Sequence, residues 1–200
     1  GLMPAVRLAT LVAAVLSGAA PAAAAGSVHV GHWNLFWKAL DDPKGQAAIV
    51  ASLDATAAES PYDFLSLVEA SGDGAGEFPL WLNASKALHP RAGMRYIQSH
   101  SGHEIVALLY RDASWSPTWW QAGDMGSGRP YVLGLFEHRG EDAAAGASPV
   151  WVMSAHLPHW PQTMLYKPGA TLAAALRNGS TATGRNASAD PFLIMGDFNE

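Results

Sequence analysis

The sequence contains no cysteine, which excludes disulfide bridges, thiolate metal sites and a cysteine nucleophile within these 200 residues. Charged residues are scarce, at 14%, and acidic residues outnumber basic ones by 17 to 12, for a formal net charge of −5. This balance argues against a protein that holds nucleic acid by a broad basic surface. It is compatible with an enzyme that meets phosphodiesters through a bound cation, because the metal then supplies the local positive charge.

Hydrophobic residues make up 49% of the chain, which is typical of a folded domain, but a membrane-length apolar run is missing near the N-terminus. The segment Leu8–Leu16 falls short of the ~20 residues that a membrane span needs. It follows Arg7 and precedes the small residues Ala22–Ala25, which is the order of a secretory signal. We predict a signal peptide over 1–26, a mature domain over 27–200 and secretion to the extracellular space or periplasm. A membrane anchor is the alternative.

Apolar runs and helical spacing predict an α/β or α+β domain. Strands are predicted over Val28–Asn34, Phe64–Glu69, Glu104–Arg111, Tyr131–Phe136, Val150–His156 and Phe192–Met195. Helices are predicted over Gly45–Glu59, from Phe78 to Leu88 with an end at His89-Pro90, and near Thr171–Leu176.

Polar side chains lie at the ends of several predicted strands, and their types suit metal binding and proton transfer. They are Asn34, Glu69, Glu104, His156, Asp197 and Asn199. Carboxylates bind hard cations, and an amide N–H can donate to a phosphate. Taken singly, each is an ordinary turn, strand-end or edge residue. Taken together, they predict a catalytic site if the strand ends converge.

The stretch Pro191–Glu200 combines these features most closely. Phe192–Met195 has the pattern of a strand that is buried on both faces. Gly196 then allows close approach of the backbone. Because side chains alternate along an extended chain, Asp197 and Asn199 are expected on the same side.

These motifs together resemble the endonuclease/exonuclease/phosphatase superfamily, in its chain order and across almost the whole mature chain. The matching pieces are Trp-Asn34, Leu-Val-Glu69, Ala-Leu-Leu-Tyr-Arg111, Ser-Ala-His156 and Gly-Asp197-Phe-Asn199. The last is the most specific. Glu104, seven residues before Arg111, and Arg129-Pro130 resemble the deoxyribonuclease I-like branch. The resemblance implies a four-layer sandwich, in which helices flank two packed, mainly antiparallel β-sheets, with the site at one edge.

The resemblance also implies a metal site and a proton path. Glu69, helped by Asn34, would hold Mg²⁺ through oxygen ligands, with Ca²⁺ and Mn²⁺ as alternatives. His156 would move a proton to or from the reacting oxygens, with its other ring nitrogen fixed by Glu104.

The remaining residues of the predicted site would serve the water and the phosphate. Asp197 would position or activate the water, while Asn199 and Arg129 would donate hydrogen bonds to the phosphate. The function implied is that of a secreted, metal-dependent phosphodiesterase, foremost a deoxyribonuclease I-like endonuclease that acts on nucleic acid.

Two alternatives remain open from the sequence. One is a secreted sphingomyelinase or phospholipase C-type enzyme, or a phosphatase, of the same superfamily. Trp115, Trp119 and Trp120 would then form an interfacial patch, although packed core and rim positions are the commoner use of such residues. The other is a secreted binding module that keeps the fold without the chemistry.

Three departures from the deoxyribonuclease I-like pattern limit what carries over. The segment Ala-Ser-Gly-Asp73 after Glu69 lacks the arginine with which that branch enters the DNA minor groove, and the disulfides of that branch have no counterpart. The superfamily also continues past this point with strands that carry another Asp and a terminal Asp-His pair. We therefore expect residues 27–200 to form a domain that is incomplete at its C-terminus.

Overall fold

A computed structural model describes residues 28–36, 40–70, 85–89, 92–101, 104–126, 128–139, 148–158 and 166–198. These residues form strands and helices in the order β1 (Val30–Asn34), α1 (Pro43–Glu59), β2 (Phe64–Val68), β3 (Met94–Ser101), β4 (Glu104–Arg111), β5 (Trp115–Asp124), β6 (Pro130–His138), β7 (Val150–His156), α2 (Tyr166–Thr183) and β8 (Phe192–Asp197).

The strands form two sheets of four strands each, in the orders β1-β2-β4-β3 and β5-β6-β7-β8. The pairs β1/β2 and β7/β8 are parallel, and the other pairs are antiparallel. The prediction of two mainly antiparallel sheets is confirmed.

Alternation of side chains along the strands produces the layers. On β2, Phe64 and Val68 face the second sheet, whereas Leu65 and Leu67 pack under α1 with its Leu53. Helix α2 covers the outer face of the second sheet, where its buried side chain Ala175 packs in a cluster with Trp151 and Met153. The order helix, sheet, sheet, helix confirms the predicted four-layer sandwich.

The core between the sheets is apolar and partly aromatic. The rings of Phe64 and Phe136 meet edge to face at 5.0 Å, and the ring of Trp115 lies 4.9 Å from that of Phe64. Trp115 is thus a core residue, Trp119 packs on Trp151, and Trp120 is half exposed. Two of the three tryptophans are therefore committed to packing.

Helix α1 begins two residues before the predicted Gly45. The side chain of Asp42 accepts a hydrogen bond from the backbone N–H of Lys44 at 3.1 Å, and Pro43 occupies the first turn, where its missing N–H costs nothing. Helix α2 is longer than the predicted Thr171–Leu176, and Gly184, with φ of +67°, follows its last residue.

The predicted helix from Phe78 to Leu88 is wrong at its C-terminal end, and its earlier part lies outside the described residues. Residues 86–89 form bends instead. The carboxylate of Asp54 accepts hydrogen bonds from Ser85 Oγ and from the N–H groups of Lys86 and Ala87. These bonds replace the ones that a helix would have supplied to the segment.

Strands β3 and β5 were not predicted. Both lie at sheet edges, so their exposed faces carry polar residues that interrupt an apolar pattern. Strand β5 also contains Pro117, which is tolerated at an edge beside the irregularity in pairing between Pro117 and Trp119.

The prediction that Phe192–Met195 is buried on both faces is also wrong. Among the residues that the structure describes, strand β8 lies at the edge of its sheet. Leu193 and Met195 are buried between the sheets, but Ile194 on the other face is 40% exposed. The predicted signal peptide, 1–26, and Asn199 lie outside the described residues. Neither described helix has the length and apolarity that crossing a membrane requires.

The backbone at Gly196 packs closely against that of Ala155, which explains why position 196 is a glycine. A β-carbon on Gly196 would lie 2.0 Å from the backbone oxygen of Ala155. Gly196→Ala should therefore lower the free energy of unfolding by about 1–3 kcal/mol, as overpacking does. Denaturant unfolding of the full-length protein measures this change.

Gly169→Ala is the matched control. Apart from its chain neighbours and the nearby backbone of its own helix, no described atom lies within 4 Å of a β-carbon at this position. The substitution should stabilise the protein slightly, by up to about 1 kcal/mol, because alanine is the better helix former. Equal unfolding midpoints for the two variants would contradict the packing argument.

Candidate active site

The topology brings the polar strand ends to one edge of the sandwich. Asn34 ends β1 and is the register partner of Val68 on the parallel strand β2, so Glu69, the next residue, lies beside it. His156 and Asp197 are register partners in the parallel pair β7/β8. Glu104 begins β4, which runs antiparallel to β2, so its start lies beside the end of β2. Arg129 precedes β6, which is antiparallel to β7. Of the seven residues predicted for the site, the structure brings these six together, and Asn199 lies outside the described residues.

Asn34 joins the two sheets at this edge. Its side-chain amide donates to Glu69 Oε1 at 3.0 Å and to Asp197 Oδ2 at 2.7 Å. Its side-chain oxygen accepts the backbone N–H of Phe36 at 2.9 Å, which orients the amide. One amide group therefore holds a carboxylate from each sheet.

Glu69 has an unusual backbone conformation. Its φ of 54° lies in the left-handed region, which a non-glycine residue adopts only at a cost. Hydrogen bonds on both sides hold it there. The oxygen of Val68 accepts from Leu35 N at 3.0 Å, and Ala70 N donates to Ile105 O at 3.2 Å. Strand β2 thus stops at Val68, one residue earlier than predicted, and the chain turns to present the carboxylate.

His156 lies between two carboxylates. Its Nδ1 is 3.3 Å from Glu104 Oε2, and its Nε2 is 3.8 Å from Glu69 Oε1. The side chain is only 1% exposed, whereas those of Glu69 and Glu104 are 15% and 17% exposed. The imidazole is therefore fixed in the protein, and the carboxylates form the solvent side of the group.

Arg129 reaches the same group from the β5–β6 connection. Main-chain hydrogen bonds between Met125 N and Arg129 O and between Arg129 N and Gly126 O close this turn. The Nη1 atom of Arg129 donates to Glu104 Oε1 and lies 2.9 and 3.0 Å from Nδ1 and Nε2 of His156. Arg129 therefore forms an ion pair with Glu104 against the histidine ring.

The charges of the site fit a divalent cation. Glu69, Glu104 and Asp197 contribute three carboxylates, and Arg129 contributes a single guanidinium. Glu69, Glu104 and His156 also form a group of potential metal ligands whose donor atoms lie within 4.8 Å of one another. The guanidinium of Arg129 contacts Glu104 and His156, whereas the carboxylate of Glu69 contacts the amide of Asn34 and offers the oxygen ligands that a hard cation prefers.

A polar chain beneath the site, in which two serines are fully buried and His32 is partly buried, was not predicted from the sequence. Nδ1 of His32 and Oγ of Ser66 are hydrogen-bonded at 2.9 Å, and Ser66 Oγ is hydrogen-bonded to Ser154 Oγ at 2.6 Å. Burial lowers the pKa of His32 to about 4; the charge of Asp197 raises it and that of His156 lowers it. The sequence signal was a polar residue two positions before Asn34 and another two positions before His156.

Solved structures share this architecture. The chain matches an endonuclease/exonuclease/phosphatase family protein from Bacteroides thetaiotaomicron with a TM-score of 0.63 and 14% sequence identity, over 86% of this chain and 62% of that one. The chain has the endonuclease/exonuclease/phosphatase fold. No protein-family model and no curated protein matches the sequence.

Two further structures with this fold differ in what they act on or bind. A mannosyl-6-phosphatase from Bacteroides thetaiotaomicron has a TM-score of 0.62 and 14% identity, over 86% of this chain and 66% of that one. Danio rerio TDP2 in complex with a single-strand DNA product has a TM-score of 0.55 and 14% identity, over 86% of this chain and 61% of that one. The chain thus spans less than two thirds of each, and likeness at this identity establishes the fold.

The lowered pKa of His32 generates a prediction about stability. Its ordinary pKa is 6.5, and its folded value is about 4. Between these values the unfolded state binds a proton that the folded state does not, so stability falls as the pH falls from 6.5 to 4. The loss is at most about 3–4 kcal/mol, since a tenfold difference in proton affinity is worth about 1.4 kcal/mol. Urea unfolding at a series of pH values, in the presence of a chelator, measures this loss of stability.

His32→Gln should remove this part of the pH dependence, because glutamine does not titrate. His138→Gln is the control, since His138 is an exposed residue at the opposite end of β6 from Arg129. If the slope of stability against pH were the same for His32→Gln and the wild type, burial of a neutral His32 would be wrong.

Proposed function

We propose that this chain belongs to a secreted, divalent-metal-dependent phosphodiesterase, of the deoxyribonuclease I-like kind, that hydrolyses nucleic-acid phosphodiester bonds. The proposal is supported by the composition of the group of side chains at the sandwich edge. Residues from both sheets place three carboxylates, an amide, a histidine and a guanidinium at one edge of the sandwich, linked by the contacts of Asn34 and His156. A binding module has no need of such a set.

The carboxylate of Glu69 would hold the cation, with Asn34 as its neighbour. When bound, Mg²⁺ neutralises the negative charge that develops on the phosphate oxygens. Asn34 keeps Glu69 and Asp197 at a fixed separation, because its amide donates to both. Mg²⁺ suits the carboxylate oxygens of Glu69, and Ca²⁺ and Mn²⁺ remain alternatives.

Asp197 and His156 would handle the protons. Asp197 is an acceptor that can orient a water or take its proton, and it is the register partner of His156 on the neighbouring strand. His156 would give a proton to the leaving oxygen or take one from the attacking water. Glu104, 3.3 Å from Nδ1, stabilises the charged imidazole that either step requires.

Arg129 would contact the phosphate. A guanidinium carries five N–H donors, and Arg129 uses Nη1 for Glu104 and His156, so it can also donate to a phosphate oxygen. Asn199 would be a second donor. Arg129 and Glu104 are the two residues that resemble the deoxyribonuclease I-like branch, and they favour a nucleic-acid substrate. The proposed signal peptide over 1–26 would place that substrate outside the cytoplasm.

A substrate comparison on the full-length protein tests the function. Plasmid DNA, sphingomyelin and a small phosphomonoester are each assayed with Mg²⁺ and in a chelator. Cleavage of the plasmid that needs the metal supports the proposal. Preferred cleavage of sphingomyelin or of the phosphomonoester would make one of the alternative enzymes correct, and no hydrolysis of any of them would favour the binding module.

Glu69→Gln should raise the Mg²⁺ concentration needed for half-maximal activity without unfolding the protein. Glutamine keeps the size of the side chain and removes the charge that attracts the cation. A titration of initial rate against Mg²⁺ measures the shift. Glu137→Gln is the control, because Glu137 is an exposed carboxylate near the far end of β6. An unchanged metal requirement in Glu69→Gln would remove Glu69 from the metal site.

His156→Ala should lower kcat by roughly 10²- to 10⁴-fold, the usual loss of a general acid or base. Glu104→Gln should act more mildly, because the imidazole remains and loses only its charged partner. The two losses should not multiply in the double variant, since Glu104 acts mainly through the histidine and otherwise through its ion pair with Arg129. Steady-state kinetics measure all three, and losses that multiply would show that the two residues act independently.

A further inference from the structure

The polar chain of His32, Ser66 and Ser154 crosses an otherwise apolar part of the core. Both serines are fully buried, and they lie on strands whose neighbouring side chains Phe64, Val68 and Val152 belong to the cluster between the sheets. The bond between the serines joins β2 of the first sheet to β7 of the second. The bond to His32 extends the chain to β1.

Each member of the chain lies on a strand that carries a site residue. His32 precedes Asn34 by two residues, and Ser154 precedes His156 by two, so each shares a face of its strand with the site residue above it. Ser66 pairs in register with His32 and lies on β2, which leads into Glu69. The polar chain of His32, Ser66 and Ser154 therefore forms the layer of side chains directly beneath the site.

Apolar side chains would fill this space without any need for hydrogen bonds. A buried hydroxyl must instead keep its partner, so a satisfied buried network specifies one arrangement of the elements that carry it. If one sheet slid against the other, apolar contacts would re-form, but the 2.6 Å bond between Ser66 and Ser154 would break. The serine pair thus fixes the position of β2 relative to β7.

We propose that His32, Ser66 and Ser154 are positioning residues that hold the Glu69 half of the site in register with the His156 half. The inference rests on the proposed function, since it concerns the same site. The separation at stake is the 3.8 Å between Glu69 Oε1 and His156 Nε2, which the ends of β2 and β7 determine. A misplacement of about 1 Å in an active site can cost about 10²-fold in rate.

Steady-state kinetics of serine variants of the full-length protein test the role. Ser66→Ala and Ser154→Ala should each lower kcat by roughly tenfold to a hundredfold, with KM nearly unchanged, because alignment and not substrate binding is lost. The double variant should be no slower than Ser66→Ala, since that substitution already removes the bond that Ser154→Ala removes, together with the bond to His32. Unfolding midpoints close to the wild type would show that the loss is not one of folded protein.

Ser99→Ala is the matched control. Ser99 is also buried, and its hydroxyl donates to Gly123 O at 3.0 Å, a bond that also joins the two sheets. It connects the edge strands β3 and β5, whose own residues are outside the proposed site. The kcat of Ser99→Ala should stay close to that of the wild type. A loss of kcat equal to that of Ser66→Ala would show that the serine pair contributes only ordinary packing between the sheets.

Two variants of His32 separate hydrogen bonding from volume. His32→Asn places an amide near the position of Nδ1 and can keep the bond to Ser66, whereas His32→Phe keeps a ring without nitrogen. The asparagine variant should retain more of kcat than the phenylalanine variant. The reverse order would overturn the role of His32.

A readout without turnover keeps this inference separate from the proposed function. The imidazole resonances of His156 report its surroundings by NMR, even if no phosphoester is hydrolysed. In that case the proposed function fails, but the resonances of His156 should still shift in Ser66→Ala, whose site of substitution is on the opposite sheet. The positioning role would be overturned if the His156 resonances were unchanged in Ser66→Ala, either with a kcat equal to that of the wild type or in a protein that shows no activity at all.

Discussion

The hydrogen bonds from the amide of Asn34 to Glu69 and Asp197 are the interaction on which the candidate site depends. They join a carboxylate from each sheet, at 3.0 and 2.7 Å, where the two sheets end. Two carboxylates this close to one group repel each other unless a donor or a cation lies between them. The amide supplies the donor, and the proposed divalent ion would supply the remaining charge. The site is therefore a property of the packed sandwich and of neither sheet alone.

The apolar core makes this arrangement possible. Edge-to-face packing of Phe64 on Phe136 fixes the sheets face to face, and the two helices cover their outer sides. Apolar contacts do not specify how far one sheet slides against the other, whereas hydrogen bonds do. The bond between Ser66 and Ser154 and the bonds of Asn34 are placed where that sliding matters most. The left-handed conformation of Glu69 is held by the same edge of the sheet.

Much of the fold could be predicted from the sequence, because the central strands consist mainly of apolar residues. Strands β4 and β7 begin and end where they were predicted, at Glu104–Arg111 and Val150–His156. The edge strands β3 and β5 were not predicted, because polar residues interrupt the apolar pattern of β3 and Pro117 interrupts that of β5. The residue types of the site could be predicted, but their contacts could not. The serine pair joins positions 88 residues apart, and local patterns carry no information about such a distance.

The position of the bound metal tests the central claim, that two sheets together build a divalent-cation site around Glu69. The most direct measurement is anomalous diffraction from crystals of the full-length protein soaked with Mn²⁺. The account predicts a peak about 2.0–2.6 Å from a carboxylate oxygen of Glu69, the range of hard cations on oxygen ligands, with Asn34 as its neighbour. A peak held by Glu104 and His156 away from Glu69, or no peak at this edge of the sandwich, would contradict it.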